Sequence, residues 1–295
     1  MSKYCQSSWQ SLHQWRSTGF VYPQLSLGNR TTGGGMNALA PTAVILGAYG
    51  GMGSAVADRL ASNGYNLVLL GRNTQRLAAL KSQLLANYTV HIADYVVDAT
   101  DANAMSTLAS KVATEFQNVS VLVNAVGRVP VGGVLEVTEE DWHSTLQTSL
   151  MSAVRLVTYF SPLLFDQAAS SVILINGLLS LQPEPNFVIS STVTGAIRNF
   201  AKAISRDLSQ HGVRVNLLNP GATATPLWQQ VGDQVATKYA LDRQQVNLQA
   251  RENNPLKRIA EVEDVANAVE FLVSDKARYL NGVALSIDGG VASGC

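Results

Sequence analysis

The stretch AVILGAYGGMG, Ala43–Gly53, decides how this chain reads. Its first half is a short apolar run of the kind found in strands buried on both faces of a sheet. Its second half places glycines at 47, 51 and 53, just where a helical pattern begins near Met52. Glycine permits a tight turn and a close backbone approach, and a helix N-terminus aims free N–H groups at an anion. A glycine cluster alone would serve a plain turn equally well. With a strand before it and a helix after it, the stretch is a candidate cradle for a nucleotide pyrophosphate, with Gly47, Gly51, Met52 and Gly53 as the contacting residues.

Outward from this stretch, strands and helices alternate. NLVLL (66–70), TVHIADYVV (89–97), VSVLVN (119–124), SVILIN (171–176), VRVNLL (213–218) and VALSI (283–287) read as further strands. Helical patterns run from about Met52 to Asn63, Thr74 to Ala86, Ala102 to Phe116, Glu139 to Phe165, Phe187 to Gln210 and Val262 to Ser274. Short β-rich runs separated by longer helical ones predict βαβ units on a parallel sheet. A chain of 295 residues suits one large α/β domain over residues 41–295.

Residues 1–40 contain no acid and are rich in Ser, Gln, Gly and Thr, with Lys3, Arg16 and Arg30. They lack the apolar core of a secretory signal. Either an organellar transit peptide or a disordered tail fits; with a tail, Met1 or Met36 could be the natural start. Basic and acidic residues balance at 21 each, so there is no basic field for nucleic acid. No run of about 18 apolar residues predicts a membrane span. The two cysteines, Cys5 and Cys295, stand at opposite ends, which argues against a disulfide framework or metal site and fits a reducing, cytoplasmic compartment.

The second strand ends in LLGRN, Leu69–Asn73. A site preferring NAD usually places an acid here, on the ribose 2′-hydroxyl. Arg72 instead offers a guanidinium fork that can pair with a 2′-phosphate, which favours NADP(H) over NAD(H). The competing reading of Arg72 is a solvated surface charge.

With these residues in view, the chain resembles the short-chain dehydrogenase/reductase family from about Ala43 to Gly290. Gly47, Gly51 and Gly53 match its glycine motif, and Asp98 in VVDATD matches its adenine-contacting aspartate. NAVG, Asn124–Gly127, resembles its Asn-Asn-Ala-Gly motif with Val123 in the first position, which points to Asn124, Ala125 and Gly127. NPGATATP, Asn219–Pro226, matches the Pro-Gly segment over the nicotinamide, carrying Pro220, Gly221 and Thr223. NGVALSIDGG, Asn281–Gly290, matches the last strand. The resemblance implies a Rossmann-type, doubly wound parallel sheet of about seven strands. It also implies a substrate lid over residues 224–254, carrying Trp228 and Tyr239, and a homodimer or homotetramer built on the two long helices.

The family's reaction end is where this sequence departs. There a Tyr exchanges the proton, a Lys four residues on lowers its pKa, a Ser orients the substrate and an Asn supports a water relay. Counted from Pro220 and Gly221 at the family's usual separation, the Tyr, Lys and Ser positions hold Ser190, Thr194 and Gly177, and the Asn position holds Ser149. An aliphatic hydroxyl is far too weak an acid to replace a lysine-tuned phenol, and Ser190 and Ser191 read better as helix N-caps. Arg198, one turn past Thr194, could lean back to supply a charge. Arg128 and Glu184 could face the pocket. Each of the three is equally a salt-bridged or solvated charge.

Two readings follow. One is an NADP(H)-dependent oxidoreductase acting on a small molecule such as an imine, an iminium or an activated carbonyl, of which the already positive iminium needs no proton at the moment of reduction. The other is a non-catalytic subunit or cofactor-binding scaffold that pairs with an active family member, and the stripe LVTYFSPLLF (156–165) suits either an interface or plain core. A third, non-redox use of the fold would show turnover without any change in cofactor absorbance.

Overall fold

The computed structural model describes residues 40–293 except 166 and 168. The extension read for residues 1–40 lies outside these, apart from Ala40, as do Cys5 and Cys295.

Seven strands, β1 (Thr42–Leu46), β2 (Asn66–Gly71), β3 (Ile92–Val96), β4 (Val119–Asn124), β5 (Ser171–Ile175), β6 (Arg214–Pro220) and β7 (Ala284–Ile287), form one sheet. Its order is β3-β2-β1-β4-β5-β6-β7, with every pair parallel. The chain therefore runs outward from β1 to β3, then returns across β1 to begin β4. That reversal opens a crevice beyond the carboxyl ends of β1 and β4, the place where doubly wound sheets bind ligands.

The helices are α1 (Gly51–Ser62), α2 (Thr74–Asn87), α3 (Ala102–Glu115), α4 (Glu139–Thr145), α5 (Ser152–Phe160), α6 (Val188–Leu208), α7 (Pro226–Tyr239), α8 (Arg243–Glu252) and α9 (Val262–Val273). Alternation along β1 sends Val44 and Leu46 into one core layer, where Met105 of α3, Leu156 and Phe160 of α5 and Val193 of α6 meet them. Ala43 and Ile45 point into the other, against Val56 and Leu60 of α1, Leu77 of α2 and Val269 of α9. A fully buried Leu or Phe contributes about 1.5–3 kcal/mol by leaving water, so these two layers hold the carboxyl ends of the strands in place.

Three sequence expectations change here. The helix read over Glu139–Phe165 is not one α-helix: a π-helical turn, Leu146–Met151, joins α4 to α5, and a 3-10 turn, Ser161–Leu164, follows. Pro162 explains the end of α5, since it cannot donate back to residue 158 and its ring crowds that carbonyl. The apolar stripe 156–165 is core, because Leu156, Val157, Phe160, Leu163 and Leu164 are all buried. Ser190 and Ser191 are not caps: Phe187 is the N-cap of α6 and both serines lie within the helix.

Candidate functional site

The glycine turn after β1 is as tight as its sequence suggests. Gly47 adopts φ +82°, a left-handed conformation that favours glycine, and a Cβ there would meet the Ala125 carbonyl oxygen at 2.9 Å. A Cβ on Gly53 would stand 2.2 Å from the Gly47 carbonyl oxygen, and one on Gly51 would stand 2.7 Å from Thr225 Cγ2. α1 can thus start directly against the turn only because these positions lack side chains. A groove of about 280 Å³ opens beside it, running from Gly47, Gly51 and Met52 to Arg72, Asp98 and Gly127. An anion held along this groove would face the unpaired N–H groups at the start of α1. The dimensions and donors fit the pyrophosphate of a dinucleotide. Among the described residues, no group of His, Cys, Asp and Glu could hold a metal ion.

At one end of the groove Arg72 is exposed, and its side chain makes no hydrogen bond or ion pair among the described residues. Asp98 Oδ1 accepts the Thr100 backbone N–H at 2.9 Å and the Thr100 hydroxyl at 2.8 Å. The backbone bond from Thr100 is the main reason its carboxyl sits below the usual range; burial opposes the shift, while the Thr100 hydroxyl and the charges of Arg72 and Arg155 assist it. Two residues that sequence reasoning missed also line this end, Tyr49 and Arg76. The available signals were a bulky side chain inside a glycine run and a second arginine one helical turn past the first.

Met52, Thr225 and Leu227 also border a second cavity, of about 260 Å³, at the carboxyl ends of β5 and β6. Gly177, Pro220, Gly221 and Thr223 line it as expected, with Leu178, Phe187 and Trp228 forming apolar walls. Among the described residues, none lining it is titratable. Thr223 stays in place by donating its hydroxyl to the Gly221 carbonyl at 3.0 Å. Asn124, Ala125 and Gly127 end β4: Asn124 is buried, while Ala125 and Gly127 line the neighbouring groove.

The other three altered family positions are not among the residues lining this cavity. Ser149, buried on the π turn, accepts the Arg128 backbone N–H at 3.0 Å. Thr194 donates its hydroxyl to the Ser190 carbonyl at 2.6 Å. Ser190 Oγ is buried with no hydrogen-bond partner, as are Asn124 Oδ1, Asn176 Oδ1 and Asn219 Nδ2. Asn176, which lines the cavity, donates Nδ2 to the Thr194 carbonyl at 3.1 Å and to Asn219 Oδ1 at 3.2 Å. A cluster of incompletely bonded amides and hydroxyls thus lies at the ends of β4, β5 and β6.

None of the three charged substitutes reaches this cavity. Arg128 forms an ion pair with Asp141 at 3.0 Å and donates to Thr145 Oγ1 at 3.2 Å, so it braces α4. Arg198 donates to the Ser180 carbonyl at 3.1 Å and pins the turn after β5. Glu184 is exposed on its loop, with Gln182 Nε2 near its carboxylate at 3.4 Å.

The segment read as a lid folds as α7 and α8, packed as a hairpin. Arg243 joins the two helices through Asp233 at 3.0 Å and Asn247 at 2.8 Å, and its guanidinium fills the space beside Gly232. Trp228 donates its indole N–H to Asn247 at 3.0 Å while lining the apolar cavity, whereas Tyr239 is exposed. Lys238 pairs with Glu136, and Gln234 accepts the Val131 N–H at 3.2 Å, so α7 also rests on the loop after β4.

Comparison with known proteins agrees with this geometry. A family model described as enoyl-(acyl carrier protein) reductase matches residues 47–292. The NADPH-dependent reductase BacG of Bacillus subtilis is 29% identical, over 84% of this chain and 96% of that protein. Among solved structures, the L-sorbose reductase of Gluconobacter frateurii, complexed with NADPH and L-sorbose, has a TM-score of 0.80 at 25% identity, covering 87% of this chain and 98% of that one. An NADPH-bound short-chain oxidoreductase of Pseudomonas aeruginosa PAO1, described as containing an atypical catalytic center, has a TM-score of 0.79 at 26% identity, covering 86% and 98%.

Proposed function

The chain belongs to the short-chain dehydrogenase/reductase family, and on that premise we propose that it is an NADP(H)-dependent oxidoreductase whose acceptor needs no proton from the protein. One contrast carries this reading: the nucleotide groove keeps its close-packed glycines, while the cavity next to it has no titratable side chain. NADPH dependence among the relatives supports the cofactor assignment.

Gly47, Gly51, Met52 and Gly53 would hold the pyrophosphate, Asp98 the adenine and Arg72 the 2′-phosphate. Asn124, Ala125, Gly127, Pro220, Gly221 and Thr223 would frame the nicotinamide half. Bound there, a reduced nicotinamide supplies a hydride. The chain supplies a dry, apolar wall and α7–α8 as a lid that keeps water out. A positioned general acid is typically worth about 10²–10⁴-fold in rate, and the family's acid is absent at Ser190. Ordinary ketones, which develop alkoxide charge, are thereby disfavoured. An iminium, already positive, takes up hydride to give a neutral amine with no alkoxide to stabilise, and so makes no demand on the missing acid; an activated carbonyl only lowers that demand.

Fluorescence titration with NADPH and NADH, followed by turnover of a cyclic N-alkyl iminium salt against its ketone counterpart, tests the proposal. Tighter NADPH binding and consumption of the iminium alone are expected. Failure to bind either nucleotide refutes it and would favour the non-catalytic subunit.

A further inference from the structure

Tyr49 is the one aromatic residue in the glycine turn, and its surroundings fix it on three sides. Its ring lies against Gly71, where a Cβ would come within 2.4 Å of Tyr49 Cε1. Its phenol oxygen accepts the Arg72 backbone N–H at 3.2 Å. Arg76 covers the ring, with Cζ 4.5 Å from the centroid, and donates Nη2 to the Tyr49 carbonyl at 3.1 Å.

The bonding capacity left over is what matters. A phenol that accepts one N–H still has its own O–H to donate. A guanidinium carries five N–H donors, and the carbonyl of Tyr49 takes up one of those on Arg76. Arg72 contributes a second guanidinium, whose charge acts on Asp98 but which makes no hydrogen bond or ion pair among the described residues. Asp98, the only carboxylate lining the groove among the described residues, has an oxygen turned to Thr100.

We infer that Tyr49 and Arg76 join Arg72 in a three-point clamp for a phosphomonoester on the ribose of the bound nucleotide. Tyr49 donates its hydroxyl hydrogen and holds Arg76 over the groove. This rests on the cofactor reading above and adds two specificity-determining residues to it.

The probes are 2′,5′-ADP and 5′-ADP, titrated calorimetrically into the full chain. Wild type is expected to bind 2′,5′-ADP on the order of 100-fold more tightly, as several charge-assisted bonds require. Tyr49→Phe keeps the ring, the stacking and the contact with Gly71, and should narrow that preference about tenfold. Arg76→Ala should narrow it at least as much, with Arg76→Lys in between because the charge stays and the fork is lost. Affinity for 5′-ADP should stay close to wild type throughout and serves as the control for folding. A wild-type preference that both Tyr49→Phe and Arg76→Ala retain in full overturns the clamp and leaves NADP(H) recognition to Arg72. Equal binding of both probes by wild type overturns the clamp and the NADP(H) preference together.

Discussion

Gly53→Ala probes the nucleotide cradle at its tightest point. The new Cβ would lie 2.2 Å from the Gly47 carbonyl oxygen, 2.9 Å from its carbonyl carbon and 3.2 Å from Ala48 Cα. All three are backbone atoms, so no side-chain rotation relieves the contact. The turn and the start of α1 must separate by roughly 1 Å, a backbone shift of the kind that costs about 1–3 kcal/mol. With no flexible partner to yield, the cost should fall near the upper value. That corresponds to a fall in Tm of about 6–12 °C for a domain of this size. The same separation pulls the N–H groups of α1 away from the pyrophosphate. Losing about 3 kcal/mol of charge-assisted hydrogen bonding weakens NADPH binding on the order of 100-fold. Thermal unfolding in the absence of nucleotide measures the first effect, and fluorescence titration well below the new Tm measures the second. A variant that matches wild type in both Tm and NADPH affinity would refute the reasoning, because the close approach of Gly53 to Gly47 could not then be real.

Other perturbations test other parts of the site. Gly177→Ser should change stability by less than about 0.5 kcal/mol in urea unfolding, since its Cβ would meet nothing nearer than Thr194 Cγ2 at 3.9 Å; a larger loss would mean the cavity wall is tighter than described. Arg128→Ala should lower the urea midpoint by loosening α4 from the loop after β4, while leaving the pH dependence of turnover unchanged; a shifted pH profile would return Arg128 to the chemistry. Asp98, Asp141 and Asp264 are all held below the usual carboxylate range, chiefly by the Thr100 N–H, the Thr138 hydroxyl and the Arg258 guanidinium respectively. A carboxylate whose pKa falls on folding stabilises the fold above its unfolded pKa, and that contribution is lost as pH drops through the lowered value. Tm should therefore hold steady down to about pH 4 and fall below it, less steeply in Asp264→Asn.

The sheet was legible because each strand announces itself locally. β1 is an apolar run ended by glycines, and β4 was bounded in the sequence as it is in the structure, at Val119 and Asn124. The π turn was not legible, since nothing in LQTSLM distinguishes it from an ordinary helix turn; Pro162 was a legible stop for α5, and the reading of one helix to Phe165 passed over it. α7 and α8 escaped detection for a different reason. Their order comes from polar pairs such as Arg243 with Asp233 and Trp228 with Asn247, which leave no apolar period to read. Counting residues could not tell where the arginines point. Arg198 meets a carbonyl 18 residues away in sequence, and Arg128 an acid 13 residues away. Which partner a long side chain finds is a tertiary fact.

Arg243 has one more effect. Its guanidinium lies where a side chain on Gly232 would be, bonded to both α7 and α8, so neither helix can swing without the other. Any displacement of this segment would therefore move α7 and α8 together. One of the contacts that hold the hairpin to the loop after β4 is ionic, Lys238 on Glu136. Two unlike contacts therefore seat the hairpin on that loop, the ion pair and the Val131 N–H on Gln234, and raising salt should weaken the first while leaving the second and the helices themselves intact.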